Sequence, residues 1–342
     1  MTAKRATLAD VARAAGLSPT TASQILNGTP NGRFSDDSRR RVQAAAAALN
    51  YRPNMGARAL RTDKSLTIGF VSDVVATTRF ASGLIRGAVE AAQQAGHVML
   101  VVESGGDRAR EAEAVAAVLD RQVDGIIFAT MQARRIETPA VPEGTRVVML
   151  NATTEPHRTS VLPDERAGGR RAVDLLAEAG HRDGIALIGR NLDSERDPSR
   201  SATVGQRTDG ILGRLTELGI RLAAEKRSSE WELEDGYRLT RELLEERTDV
   251  RALICMNDRL SFGAYRACQE CGLEVGRDIS VVSFDDDEIA SYLQPPLTTI
   301  ALPYQAMGRR AVDLILGDEE AGGQVLISMP AIVRSSIAPQ TG

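Results

Sequence analysis

Thr7-Leu-Ala-Asp-Val-Ala-Arg-Ala-Ala-Gly-Leu-Ser-Pro-Thr-Thr-Ala-Ser-Gln-Ile-Leu-Asn-Gly28 is the stretch that decides how the N-terminal part of this chain folds. Leu8, Val11, Ala12 and Ala15 fall at i, i+3, i+4 and i+7, the apolar stripe of a two-turn helix. Gly16-Leu17 interrupts the stripe. Ser18 then offers an N-cap ahead of Pro19, which needs no amide donor at the first helical position. A second short helix would bury Ala22, Ile25 and Leu26 and stop at Asn27-Gly28. Two short helices around a glycine turn are the sequence form of a helix-turn-helix, whose second helix enters the major groove of DNA. Its outward face carries Thr20, Gln24 and Asn27, side chains that reach base edges and phosphates.

Working outward, Ser35 caps a third helix with Val42, Ala45, Ala46 and Leu49 on one face, so three helices close one small core. Asn50-Tyr-Arg-Pro-Asn54 ends it, because the residue before a proline is pushed out of the helical region. Asn54-Met-Gly-Ala-Arg-Ala-Leu-Arg61 is capped and alanine-rich, yet too short to be helical alone, and Gly56 weakens it by a further ~1 kcal/mol. Such a segment suits a hinge that folds only on DNA. Charge points the same way. Residues 1–64 hold eleven basic and four acidic side chains, net +7, while the whole chain is −4, so residues 65–342 carry −11. A basic head on an acidic body is the electrostatic footprint of a DNA binder.

From Leu66 a strand–helix alternation sets in. Strands are expected at Leu66–Val71, Val98–Val102, Gly125–Ala129, Ile185–Ile188, Ala252–Cys255 and Ser280–Phe284, with a further apolar run at Arg146–Leu150. Helices are expected at Ala81–Ala95, Glu111–Arg121, Glu165–Ala179, Gln206–Leu218, Glu234–Glu246 and Arg259–Cys271, several ending at glycine (Gly96, Gly180, Gly219, Gly272). This rhythm implies an α/β body of parallel sheets with helices on both faces, in two lobes with a ligand cleft at the strands' C-terminal ends. Arg207, Asn257, Asp258 and Asp285 lie at strand ends or helix starts, where a polyhydroxyl ligand would be held. Trp231, the only tryptophan, can stack on a sugar ring or simply pack at a lobe surface.

Enzymatic readings find little support. No G-x-G-x-x-G or G-x-x-x-x-G-K-[ST] loop occurs. Cys268-Gln-Glu-Cys271 lies inside an expected helix, and with only Cys255 beside it the cysteines read as reduced thiols. His97 and His181 follow helix-ending glycines and His157 sits in an expected loop, so capping or solvated roles are expected rather than metal ligation. The run Asp285-Asp-Asp-Glu288 reads as a cap plus a ligand contact. No catalytic residues, cofactor or metal are therefore expected. The N-terminus lacks an apolar signal region and no apolar run spans a membrane, which places the chain in the cytoplasm. A transported-solute binder on the same lobes would need a secretion signal and no basic head.

Thr7–Ala12, Ser18–Ser23, Ile25–Gly28, Leu49–Asn54 and Ala57–Arg61 resemble the head and hinge of the LacI/GalR family of bacterial transcription regulators, and the similarity continues through the chain. The resemblance implies a three-helix helix-turn-helix head (1–53), a hinge (54–64) and a two-lobed, periplasmic-binding-protein-like body (65–342). It implies a homodimer that binds double-stranded operator DNA as a repressor, controlled by a small carbohydrate-like effector. Ser18, Thr20, Thr21, Ser23, Gln24, Asn27, Arg33, Tyr51 and Arg58 would touch DNA, with Leu60 as a minor-groove wedge. Arg207, Trp231, Asn257 and Asp285 match effector-holding positions, Asn151 and Asp164 more loosely. Ser72–Phe80 lacks the family's Asn-Pro-aromatic-aromatic, and only Phe80 corresponds.

Overall fold

The computed structural model describes residues 6–26, 34–52, 64–74, 81–137, 140–155, 158–317 and 322–340. The chain divides into two compact units, Met1–Ser65 and Leu66–Gly342. Among the expected features, Asn27, Arg33, the hinge segment 54–61 with Arg58 and Leu60, Phe80 and His157 lie outside the described residues.

In the first unit, helices Leu8–Ala15, Pro19–Leu26 and Asp36–Ala48 meet through Val11, Ala12, Ala15, Ala22, Ile25, Val42 and Ala45. Local chemistry sets their ends. Thr7 Oγ1 accepts the amide of Asp10, and the Asp10 carboxylate takes the Thr7 amide in return, a capping box absent from the sequence reading. Gly16 turns the chain with φ +62°, and a Cβ there would run into the Arg41 guanidinium, which donates to the carbonyl oxygen of Ala15. Ser18 and Ser35 each accept an amide three residues on. Leu49, expected on the buried face, is instead the C-cap of the third helix and is exposed. It sits past the last full turn, where the backbone leaves the helical path.

The second unit holds two six-stranded sheets. The first contains β1 (Thr67–Ser72), β2 (Val98–Glu103), β3 (Gly125–Arg135), β4 (Val147–Thr153), β5 (Ser160–Pro163) and β11 (Gln324–Ile327), in the order β11-β5-β4-β3-β1-β2 and parallel throughout. The second contains β6 (Ile185–Arg190), β7 (Leu222–Arg227), β8 (Ala252–Cys255), β9 (Ser280–Asp285), β10 (Thr298–Ala301) and β12 (Ala331–Ile332), in the order β12-β10-β9-β8-β6-β7. Only its short edge strand β12 runs antiparallel. Central strands are buried on both faces, which is why they read as unbroken apolar runs.

The chain crosses between lobes after β5, after β10 and between β11 and β12. Helix Tyr304–Leu316 consequently packs on the first sheet, through Met307, Ala311 and Val312, although it follows a strand of the second. β3 departs from expectation. It continues six residues beyond Ala129 to Arg135, re-pairing with the end of β4 after a register shift.

Three helix pairs touch backbone to backbone through glycines. Gly87 and Gly308 join Ala81–Gln94 to Tyr304–Leu316, Gly169 and Gly210 join Glu165–Glu178 to Val204–Glu217, and Gly236 and Gly263 join Leu233–Glu246 to Asp258–Glu270. Glycine weakens a helix interior by roughly 0.5–1 kcal/mol, so packing must require it here. A Cβ on Gly169 would lie 2.3 Å from the Arg207 carbonyl oxygen, and one on Gly210 would lie 2.2 Å from that of Arg166. Gly210→Ala should therefore wedge these helices apart and cost about 3 kcal/mol. Urea denaturation of the two proteins measures this, and an unchanged midpoint would show that the contact can relax.

Candidate functional site

On the head, the second helix offers Thr20 and Gln24 to solvent, with Ser23 and Thr21 partly covered. Ser18 Oγ lies 2.8 Å from Thr21 Oγ1 and accepts the Thr21 amide at 3.1 Å, so these two hydroxyls fix the helix start. Tyr51 packs half-buried against the helical core. The exposed amide of Gln24 has the reach for a bidentate contact with an adenine edge.

The body carries a cleft of about 450 Å³ between the C-terminal ends of its two sheets. Its floor is built from two neighbouring helix starts. Asp164 and Glu165 stand where β5 crosses into the second lobe. Asp164 accepts the Ala167 amide at 3.0 Å and so caps the helix; it does not line the cleft. Glu165, one residue further, faces inward and is buried. Arg207, in the first turn of helix Val204–Glu217, is brought against it by the Gly169–Gly210 contact. Its Nε and Nη2 donate to the two Glu165 carboxylate oxygens at 2.6 and 2.7 Å, and its Nη1 donates to the Met256 carbonyl at 2.5 Å.

The guanidinium also stacks 4.4 Å from the centre of the Phe284 ring, with Trp231 at 5.8 Å. Burial opposes its charge, and the Glu165 carboxylate more than restores it, so its pKa stays above the ordinary arginine value. Arg207 was expected to offer its donors to a ligand. In this structure Glu165, which the sequence reading passed over, takes two of them.

The walls are similarly tied down. Trp231 donates its indole N–H to the Gly189 carbonyl at 2.6 Å, fixing the ring at the cleft. Asn257 caps its helix through Leu260 and donates its amide to the Trp231 carbonyl at 3.2 Å. Asn151 spends both amide hydrogens on the carbonyls of Thr130 and Met131. Asp258 faces away from the cleft. It accepts the Asp287 amide and the Thr299 hydroxyl, and burial lifts its carboxyl to about 6.

Asp285 differs from all of these. It ends β9, lines the cleft, and makes no side-chain hydrogen bond among the described residues. The residue keeps some open surface, yet its carboxyl is deep enough that desolvation holds it well above the usual carboxylate range, against the pull of Arg207. Asn151 (φ +56°) and Asp285 (φ +114°) are both non-glycines in a left-handed or rarer region, and both line this cleft. Backbone strain of roughly 1–3 kcal/mol per residue persists where a site needs it.

The unexpected tail of β3 forms one side of the cleft. The Arg135 amide donates to the Pro198 carbonyl at 2.7 Å, and the Ala202 amide donates to that of Ala133 at 2.8 Å, so main chain bridges the lobes there. Arg134 pairs with Asp73 at 3.1 Å beside it.

Outside the cleft, His181 is buried against Ser280 Oγ at 2.9 Å rather than solvated, and burial lowers its pKa. Burial likewise pushes the Cys255 and Cys268 thiols up to about 12. Asp287 caps the short 3₁₀ turn Glu288–Ser291. No cluster of metal-ligating side chains occurs among the described residues. No helix among them is long and apolar enough to cross a membrane.

Residues 7–54 match the family of bacterial regulatory proteins, lacI family, and residues 173–337 match the periplasmic binding protein-like domain. The ribose operon repressor of Haemophilus influenzae is 32% identical over 315 residues, covering 91% of each chain. The lactose operon repressor of Escherichia coli is 32% identical over 346 residues, covering 99% of this chain and 92% of that one. A crystal structure of the lac repressor dimer bound to operator and the anti-inducer ONPF superposes with a TM-score of 0.76 at 29% identity, covering 98% of this chain and all of the other.

Proposed function

Because the chain belongs to the LacI family of bacterial regulatory proteins, we propose that it is an operator-binding transcriptional repressor released or retained by a small sugar-like effector. The head binds double-stranded operator DNA, the body binds the effector between its lobes, and the working form is a homodimer. The observation that carries this reading is the pairing, in one chain, of a capped, net +7 helix-turn-helix head with a two-lobed body whose cleft is lined by Arg207, Trp231, Asn257 and Asp285.

Within that reading, Ser18, Thr20, Thr21, Ser23, Gln24, Asn27, Arg33, Tyr51 and Arg58 touch DNA, and Leu60 wedges the minor groove. Phe80, Asn151 and the cleft residues hold the effector; Asp164 acts by capping the helix that presents Glu165. The protein works in the cytoplasm and catalyses no reaction. A gel shift with DNA from upstream of its own coding region, with and without pentoses and disaccharides, tests the proposal. Retardation that one sugar changes supports it; no retardation in any condition rejects it. In the same assay Gln24→Ala should cost about 1–3 kcal/mol on the operator and relax the base preference at one position of each half-site. An equal loss on every sequence would make Gln24 a phosphate contact instead.

A further inference from the structure

The cations lining the cleft are already taken. Among the described residues two guanidinium groups line it, and each is already matched by a carboxylate of the same lobe: Arg207 by Glu165, and Arg259 by Glu232 at 2.7 and 3.0 Å. Two further acids line the described part of the cleft, Asp285 at the floor and the exposed Glu230 at the rim. A planar guanidinium fork is the natural seat for a carboxylate or phosphate. Here the chain fills that seat itself, with an acid buried beside the cleft and held in both oxygens' best geometry.

We propose that Glu165 sets the charge class of the effector: by occupying the Arg207 fork from within, it makes the cleft reject anionic sugars, such as sugar acids and sugar phosphates, and accept polyols without negative charge. This rests on the cleft being the effector site. An incoming anion would have to displace Glu165 from Arg207, leaving a buried unpaired carboxylate. A hydroxyl or amine donor meets no such barrier, since Asp285 has acceptor capacity that nothing in the described residues uses.

The proposal is tested by giving the vacated fork a carboxylate from solution. In Glu165→Ala, sodium acetate or formate should raise the melting temperature saturably by a few degrees over sodium chloride at equal ionic strength, as a ligand that binds only the folded state does. Wild-type protein should show no such gain, and Glu165→Ala/Arg207→Ala should lose it. A folded Glu165→Ala that acetate does not stabilise, or an equal gain in the wild type, overturns the proposal. Should Glu165→Ala not fold, calorimetry of the wild-type chain with gluconate and glucose 6-phosphate decides. Saturable binding of either with a Kd below about 1 mM overturns the proposal, and absence of binding supports it. None of these readouts involves DNA, so their failure leaves the repressor reading standing, whereas a failed gel shift leaves the charge argument standing.

Discussion

Raising salt from about 50 to about 200 mM should weaken binding of the full chain to its operator on the order of 10³–10⁵-fold, the fall expected for ~6–10 phosphate contacts. The cause is the segregation of charge. Eleven basic and four acidic side chains fall within residues 1–64, and the remaining chain carries −11. A dimer presents two such heads, and each phosphate they neutralise releases a condensed counterion. The acidic remainder of the chain should add no phosphate contacts of its own. Fluorescence anisotropy of a labelled duplex over this salt range measures the slope. A flat dependence would mean that the basic head does not sit on phosphates.

Arg207→Ala should destabilise the body by about 3–5 kcal/mol, because it strands the Glu165 carboxylate in the interior. Both side chains are 3% exposed, so solvent cannot take over the lost partner. The stacking on Phe284 is lost as well. Effector response should disappear with the floor of the cleft. Denaturation of Arg207→Ala, Glu165→Ala and the double variant separates pairing from packing. If the pair is the source, the double variant loses far less than the sum of the singles. Strict additivity would mean that the two residues contribute independently.

The head was legible in the sequence because its determinants are local. Apolar spacing places Val11, Ala12, Ala15, Ala22, Ile25, Val42 and Ala45 in the core, and Ser18 and Ser35 cap their helices as read. The buried parallel strands were legible as apolar runs, and Gly96, Gly180, Gly219 and Gly272 do follow helices with positive φ. β7 was missed because it is an edge strand of mixed polarity, Leu222-Ala-Ala-Glu-Lys-Arg227, with no residue fully buried. The tail of β3 was missed because Gln132-Ala-Arg-Arg135 is of mixed polarity and its partners lie far away in sequence, on β4 and the second lobe. Helix Tyr304–Leu316 did carry a signal, since Met307, Ala311, Val312 and Ile315 share a face.

Glu165 carried none. Its partner is 42 residues away, and of two adjacent acids at a helix start a local reading favours the one that caps. Sequence spacing finds which residues stand at strand ends; it does not find which of them pair with each other rather than with a ligand.

Selection of binding sites from random duplexes by the full-length protein tests the central claim most directly. One short head offers too little surface for strong specificity, so a dimer must present two at fixed spacing. The account predicts enrichment of one near-palindromic sequence, bound far more weakly by isolated residues 1–62 than by the full chain. Recovery of no preferred sequence, or of a single unpaired half-site bound equally by both proteins, would contradict it.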